Sequence, residues 1–291
     1  MATLASPKPF DWSALLVRQW FLVLGIAAVV LPTLYSLSQQ SWSQDTGVHG
    51  PIVLATGLWL IARRMSEIPA LIRPVRPVLV AIGLLLAVPA YVFGRAYDFI
   101  SIEAAALLLA MVTVAYAYVG PVVIRMMWFP ILYFCFMIPV PGWLLDVVTQ
   151  PLKLFVSEVV THGLVLAGYP IARLGVTIYV ASYQLLVEDA CAGLNSLVSL
   201  SAIGLFYVYM LRGSNWRYSI LLLALVVPIA IAANCVRVAA LVLLTYHAGD
   251  AVAQGYLHNF AGMVTFTSAL LFIFLIDRLL SPLRDRLARK A

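Results

Sequence analysis

The sequence predicts an all-α polytopic membrane bundle of about eight transmembrane helices. Three observations lead there. The 291 residues are 64% hydrophobic and only 10% charged, with a mean hydropathy of +1.01, whereas a soluble domain is roughly half apolar and about a quarter charged. Several apolar runs approach the ~20 residues that a helix needs to cross a ~30 Å hydrocarbon core. Lys and Arg gather in short clusters between those runs, as in cytoplasmic loops. A porin-like barrel is excluded, because its strands alternate polar and apolar residues.

The spans follow in order. Residues 1–19 read as a retained cytoplasmic tail, since no small-residue cleavage motif precedes the first span, Trp20 to Leu37. The polar loop SQQSWSQDTGVHG leads to a short second span, Pro51 to Ala62. The next loop carries Arg63, Arg64, Arg73 and Arg76, which assigns it to the cytoplasm and sets the register of the rest. Span three, Val78 to Phe93, exits outward at GRAYD, where Arg95 is the one exception to the charge rule. Span four, Ile100 to Val119, returns to the loop containing Arg125, and span five, Met127 to Val140, ends outside at the breaker PVPG. Span six begins at Cys191 and stops at LRGSNWR, and span seven runs from Tyr218 to Leu243, with YHAGD outside after it. Span eight, His258 to Leu280, precedes a basic cytoplasmic tail over 281–291. Residues 20–280 thus form a single polytopic membrane domain with both termini cytoplasmic.

Residues 142–190 fit no simple span and read as an external insertion. Their first part has apolar residues at helical spacing, interrupted by Asp146, Lys153, Glu158 and His162, which suits an amphipathic helix in the outer interface or packed over the bundle. Re-entrant and spanning paths stay open. The second part, GVTIYVASYQLLVED, is rich in β-branched and aromatic residues and predicts a small hairpin turning at Ala181 and Ser182.

The three cysteines, Cys135, Cys191 and Cys235, show neither a disulfide framework nor zinc-ligand spacing. No basic stretch is interleaved with stacking aromatics, so nucleic acid is not an expected partner; membrane lipids are. Cys135 lies in an apolar run and reads as packing, as does Cys235, which faces about 160° away from Arg237 on a helix.

The topology brings Cys191, Arg237 and His258 to the same, non-cytoplasmic face. Cys191 opens the helix EDACAGLNSL, where aligned backbone N–H groups favour the thiolate, and Asn195 lies one turn on as a donor. Arg237 sits in a long apolar run about 28 Å along from Tyr218, near the edge of the hydrocarbon core, with Asn234 on its face. His258 opens the last span, with Gly262 one turn below. Each has a bland alternative: a buried packing thiol, an arginine snorkelling to lipid head groups, an interfacial imidazole. His247 and His162 are other candidate bases; His49 is also external but belongs to the N-terminal half. Taken together, a thiol, a guanidinium and an imidazole have complementary roles in acyl transfer.

These residues carry a family resemblance. ACAGLNSL from Ala190, NCVRV from Asn234 and HNFAG from His258 match, in order, the cysteine, N-x-x-R-V and histidine–glycine motifs of the exosortase/archaeosortase family. Trp42 and the His49–Gly50 pair, followed by a span ending in arginines, and IPVPGW at Ile138 match as well, so the resemblance covers about Trp42 to Phe266. The N-terminal segment resembles the exosortase V subtype. One departure is Ala192, where the family usually has serine; with cysteine, arginine and histidine in place, the site is expected to stay competent.

The resemblance implies a cysteine peptidase/transpeptidase in a bacterial inner membrane, with its site facing the periplasm. Its substrates would be exported proteins ending in a PEP-CTERM-like sorting signal: a motif, one transmembrane helix and a basic tail. Cys191 would be the nucleophile, Arg237 the oxyanion stabiliser and His258 the general acid/base, supported by Asn195 and Asn234. An acceptor amine, of unknown identity, or water would resolve the thioester. No metal or organic cofactor is required. The residues alone leave two other readings: a transporter or channel component with Arg237 lining an anion path, and a thiol acyltransferase acting on lipid or sugar.

Overall fold

A computed structural model of the chain describes residues 19–43, 47, 49–180, 183–186, 195–210, 216–248, 267, 271–272 and 274–282. The fold is that of an all-α polytopic membrane protein with one small sheet. Contacts divide it into two compact units, Met1–Ser43 with Gly50–Pro139, and Gln44–His49 with Val140–Ala291.

The first unit contains α1 (Trp20–Gln40), α2 (Gly50–Ala62), the short α3 (Ile68–Leu71), α4 (Pro77–Ala96), α5 (Ile100–Met126) and α6 (Trp128–Phe134). Among the described residues, α1, α4 and α5 are long and apolar enough to cross a membrane. Pro77 supplies a preset φ at the first turn of α4. Helices α4 and α5 form a close hairpin, because Gly83 faces Thr113 and Gly94 lies on the Glu103 backbone.

Two breaks differ from simple spans. Gly120 interrupts α5 with φ +79°, just before Pro121, and the carbonyl of Arg73 occupies the place a β-carbon would take. A side chain there would meet both a left-handed backbone and a backbone oxygen, so the glycine fixes the break. The expected fifth span, 127–140, is instead the seven-residue α6 followed by a 3₁₀ turn, Cys135–Met137. Ten residues rise roughly 15–16 Å, about half the hydrocarbon thickness. The helix stops because Ile138 precedes Pro139 and is driven to extended geometry, ψ 118°. Cys135, read as packing, is exposed on this segment.

A buried carboxylate ties three helices of this unit together. Glu103, 1% exposed, accepts from the Thr33 hydroxyl at 2.7 Å and from Arg95 Nη1 at 3.2 Å. Arg95 Nη1 also donates to Ser36 Oγ at 2.7 Å, and the Tyr91 hydroxyl donates to the Val29 carbonyl at 3.1 Å. Arg95, the exception to the charge rule, is therefore neutralised by a partner eight residues on.

The second unit contains α7 (Gly142–Leu166), strands β1 (Ile171–Leu174), β2 (Thr177–Val180) and β3 (Tyr183–Leu186), α8 (Asn195–Met210) and α9 (Trp216–Ala248). Residues 271–272 and 274–279 are helical. The strands make an antiparallel meander in the order β1-β2-β3, with Ile178 opposite Leu185. The expected hairpin is present as β2 and β3, and β1 extends it. Helix α7 buries Thr149, Lys153, Val156, Ser157, Val160 and Leu164, spaced three or four apart along one stripe. Its opposite face exposes Glu158 and His162 together with apolar Trp143, Val147, Phe155 and Val159, while Lys153 is buried. The stripe packs with Ile178, Val180 and Leu185 from the sheet and Val238, Leu241 and Val242 from α9.

Candidate active site

Arg237 occupies the middle of α9, a 33-residue helix with an apolar stretch over 231–247. It is 6% exposed, whereas its neighbour Val236 is 70% exposed. The helix therefore presents valine outward and turns the guanidinium inward, which rules out a side chain snorkelling to head groups. Asn234, three residues back and 2% exposed, shares that inward face, as expected at i, i+3. Next along the same side, Val238, Leu241 and Val242 enter the core formed with α7 and the sheet. Arg237 thus stands at the edge of a packed apolar cluster, where electrostatic interactions are stronger than in water.

Cys235 packs against this cluster from α9, half-buried, in keeping with a packing role. Asn195 is the first described residue of α8. Cys191 and His258 lie outside the described residues, as do Ala192, Gly262 and the expected turn at Ala181 and Ser182. Among the described residues, Arg237 and Asn234 of the expected site share one buried face of α9.

The other histidines divide by environment. His247, expected in a loop, is helical at the end of α9 and exposed, its ring edge-on to Tyr169 at 6.0 Å. His162 is exposed on α7. His49 is buried at 5% and, although early in the chain, groups with the second unit, the one that carries Arg237. The next residue, Gly50, carries the Trp42 indole directly over its α-carbon, so any β-carbon would collide with the ring. Trp42 and Gly50 therefore fix each other's position at the start of α2.

Polar ties hold the surrounding elements. Arg173 of β1 reaches across to α7, donating to Ser157 Oγ at 3.3 Å and pairing with Glu158 at 3.7 Å, while Ser157 Oγ donates to the Gly175 carbonyl at 3.2 Å. Tyr207 of α8 donates to Asp277 Oδ2 at 2.7 Å, and Asp277 is 6% exposed. That bond fastens α8 to the final helical segment. Sequence reasoning missed Asp277 and Glu103; the available signal was an isolated carboxylate within an apolar run, which needs a partner wherever it is buried.

Among the described residues, no group of three His, Cys, Asp or Glu side chains could hold a metal ion. A family model described as a transmembrane exosortase (Exosortase_EpsH) matches residues 41–275, a range that includes Cys191, Arg237 and His258. No curated protein and no solved structure matches.

Proposed function

Because the chain belongs to the transmembrane exosortase family, we propose that it is a cysteine transpeptidase acting on exported proteins with a C-terminal sorting signal. The observation that carries this reading is the inward burial of Arg237 beside Asn234 in an otherwise apolar helix. A cation buried among apolar residues is costly even near the edge of the hydrocarbon core, and its retention calls for a use.

Helix counting supports a meeting of the three residues. Arg237 lies 21 positions past Trp216, and Cys191 lies 19 before Met210, on the helices flanking the 211–215 connection. With α8 continued back to Cys191, as the sequence leads one to expect, these positions stand about 31 Å and about 28 Å from that connection. His258 lies 19 positions before Asp277, and Cys191 lies 16 before its partner Tyr207. Continuous helices would bring these two to within about one turn of the same height.

The Cys191 thiolate attacks the scissile carbonyl carbon, and the oxygen takes the negative charge of a tetrahedral intermediate. Arg237 stabilises that oxyanion. His258 takes the thiol proton and gives it to the departing amine, so the C–N bond breaks and a thioester remains. Water or an acceptor amine then attacks the thioester and regenerates the thiol. Asn195 and Asn234 support the site as polar neighbours. The reading places the enzyme in a bacterial inner membrane, site outward and termini cytoplasmic.

The test is Cys191→Ala with a tagged substrate. The variant should insert and melt as the parent does, yet leave the substrate uncleaved. Normal processing by that variant would remove Cys191 as nucleophile.

A further inference from the structure

The first unit contains an apolar cavity of about 460 Å³ whose wall is entirely Leu, Ile, Val, Ala, Met and Phe. It runs beside α5 from Ala104 to Ile124, about 30 Å at 1.5 Å per residue. Without polar partners it cannot hold ordered water. Its proportions decide what can fill it. A uniformly apolar wall of that length matches the run of methylenes in a lipid tail. The slot suits one extended hydrocarbon chain.

One end of the slot is positively charged. Ile61 and Ile124 line it there, and Arg63, Arg64 and Arg125 follow them directly in the chain. Arg64 Nη1 donates to the Met126 carbonyl at 3.5 Å, and the Arg63 guanidinium lies 5.5 Å from the Trp59 ring centre. Arg63 and Arg125 are exposed, and across 63–76 four arginines face a single carboxylate, Glu67. An apolar slot ending in guanidinium groups is complementary to an amphiphile with an anionic head. A transmembrane peptide with a basic tail would meet like charge at the same place.

We propose that this unit binds one anionic phospholipid, with an acyl chain in the cavity and the head-group phosphate on Arg63, Arg64 and Arg125. The site does not depend on the reading of Cys191. Native mass spectrometry of the full-length, delipidated protein tests it. Phosphatidylglycerol should bind one per chain and at least ~10-fold more tightly than phosphatidylcholine with identical chains. Glycerol phosphate, which has the head but no chain, should not compete. The double variant Arg63→Gln/Arg64→Gln should lose the head-group preference, and Val112→Trp, which fills the slot, should weaken both lipids. The proposal fails if the two lipids bind equally, if glycerol phosphate displaces phosphatidylglycerol, if the arginine variant keeps the preference, or if a synthetic basic-tailed transmembrane peptide displaces the lipid. Should Val112→Trp misfold, the wild-type comparison and the surface arginine variant decide.

Discussion

Valine outward and arginine inward at adjacent positions of α9 is the reverse of what an isolated helix would choose in lipid. The helix accepts it because Val238, Leu241 and Val242 on that side are already committed to the core. The sequence identified Arg237 as costly and Asn234 as its neighbour, since both follow from helical spacing. A polar patch pointing into the bundle was legible too; which elements cover that side, α7 and the sheet, was not, because it depends on tertiary packing. The guanidinium fork should matter as well as its charge. Arg237→Lys is expected to slow processing of a tagged substrate by about 10²-fold or more, with unchanged thermal unfolding in detergent. A pulse-chase rate near that of the parent would mean that a point charge suffices and that oriented donation is not used.

The meander and α7 show how much an element owes to its neighbours. TIYV and YQLL belong to a stretch rich in β-branched and aromatic residues and lie either side of a predicted turn, so β2 and β3 were readable. IARL has no such pattern and becomes a strand by pairing with β2, while Arg173 bonds to Ser157 on α7. Lys153 misled in the other direction, since a lone lysine on an apolar helix suggests a water-facing stripe, yet it is buried. Ile178, fully buried where the sheet, α7 and α9 meet, is the residue on which this packing turns. Ile178→Ala should cost about 2–5 kcal/mol in thermal unfolding. Tyr183→Ala, at a 40% exposed position of the same sheet, should cost under about 1 kcal/mol. Equal losses would show that the sheet is not anchored through Ile178.

For the whole molecule, charge placement and span length made the membrane class legible, and the motif order made the family legible. The interruptions were less so. The Gly120–Pro121 break falls one residue after the expected end of span four, Val119, but the short α6 interrupts what hydropathy presents as a fifth span. The proposed orientation can be checked with dual reporters. A fusion after Ala291 should be active on the cytoplasmic side, and one inserted in the Gly175–Val176 turn on the outer side. The opposite pattern would invert the topology and move the proposed site to the cytoplasm.

The Arg95–Glu103 pair also has an electrical consequence. A single charge carried through a membrane potential gains or loses about 2.3 kcal/mol per 100 mV. Arg95 and Glu103 carry opposite charges on adjoining helices and touch at 3.2 Å, so together they do almost no work against the field. The α4–α5 hairpin can therefore enter an energised membrane in either direction without that pair setting a voltage preference. Losing either partner would leave one uncompensated charge, and the yield of inserted protein would then depend on the potential across the membrane.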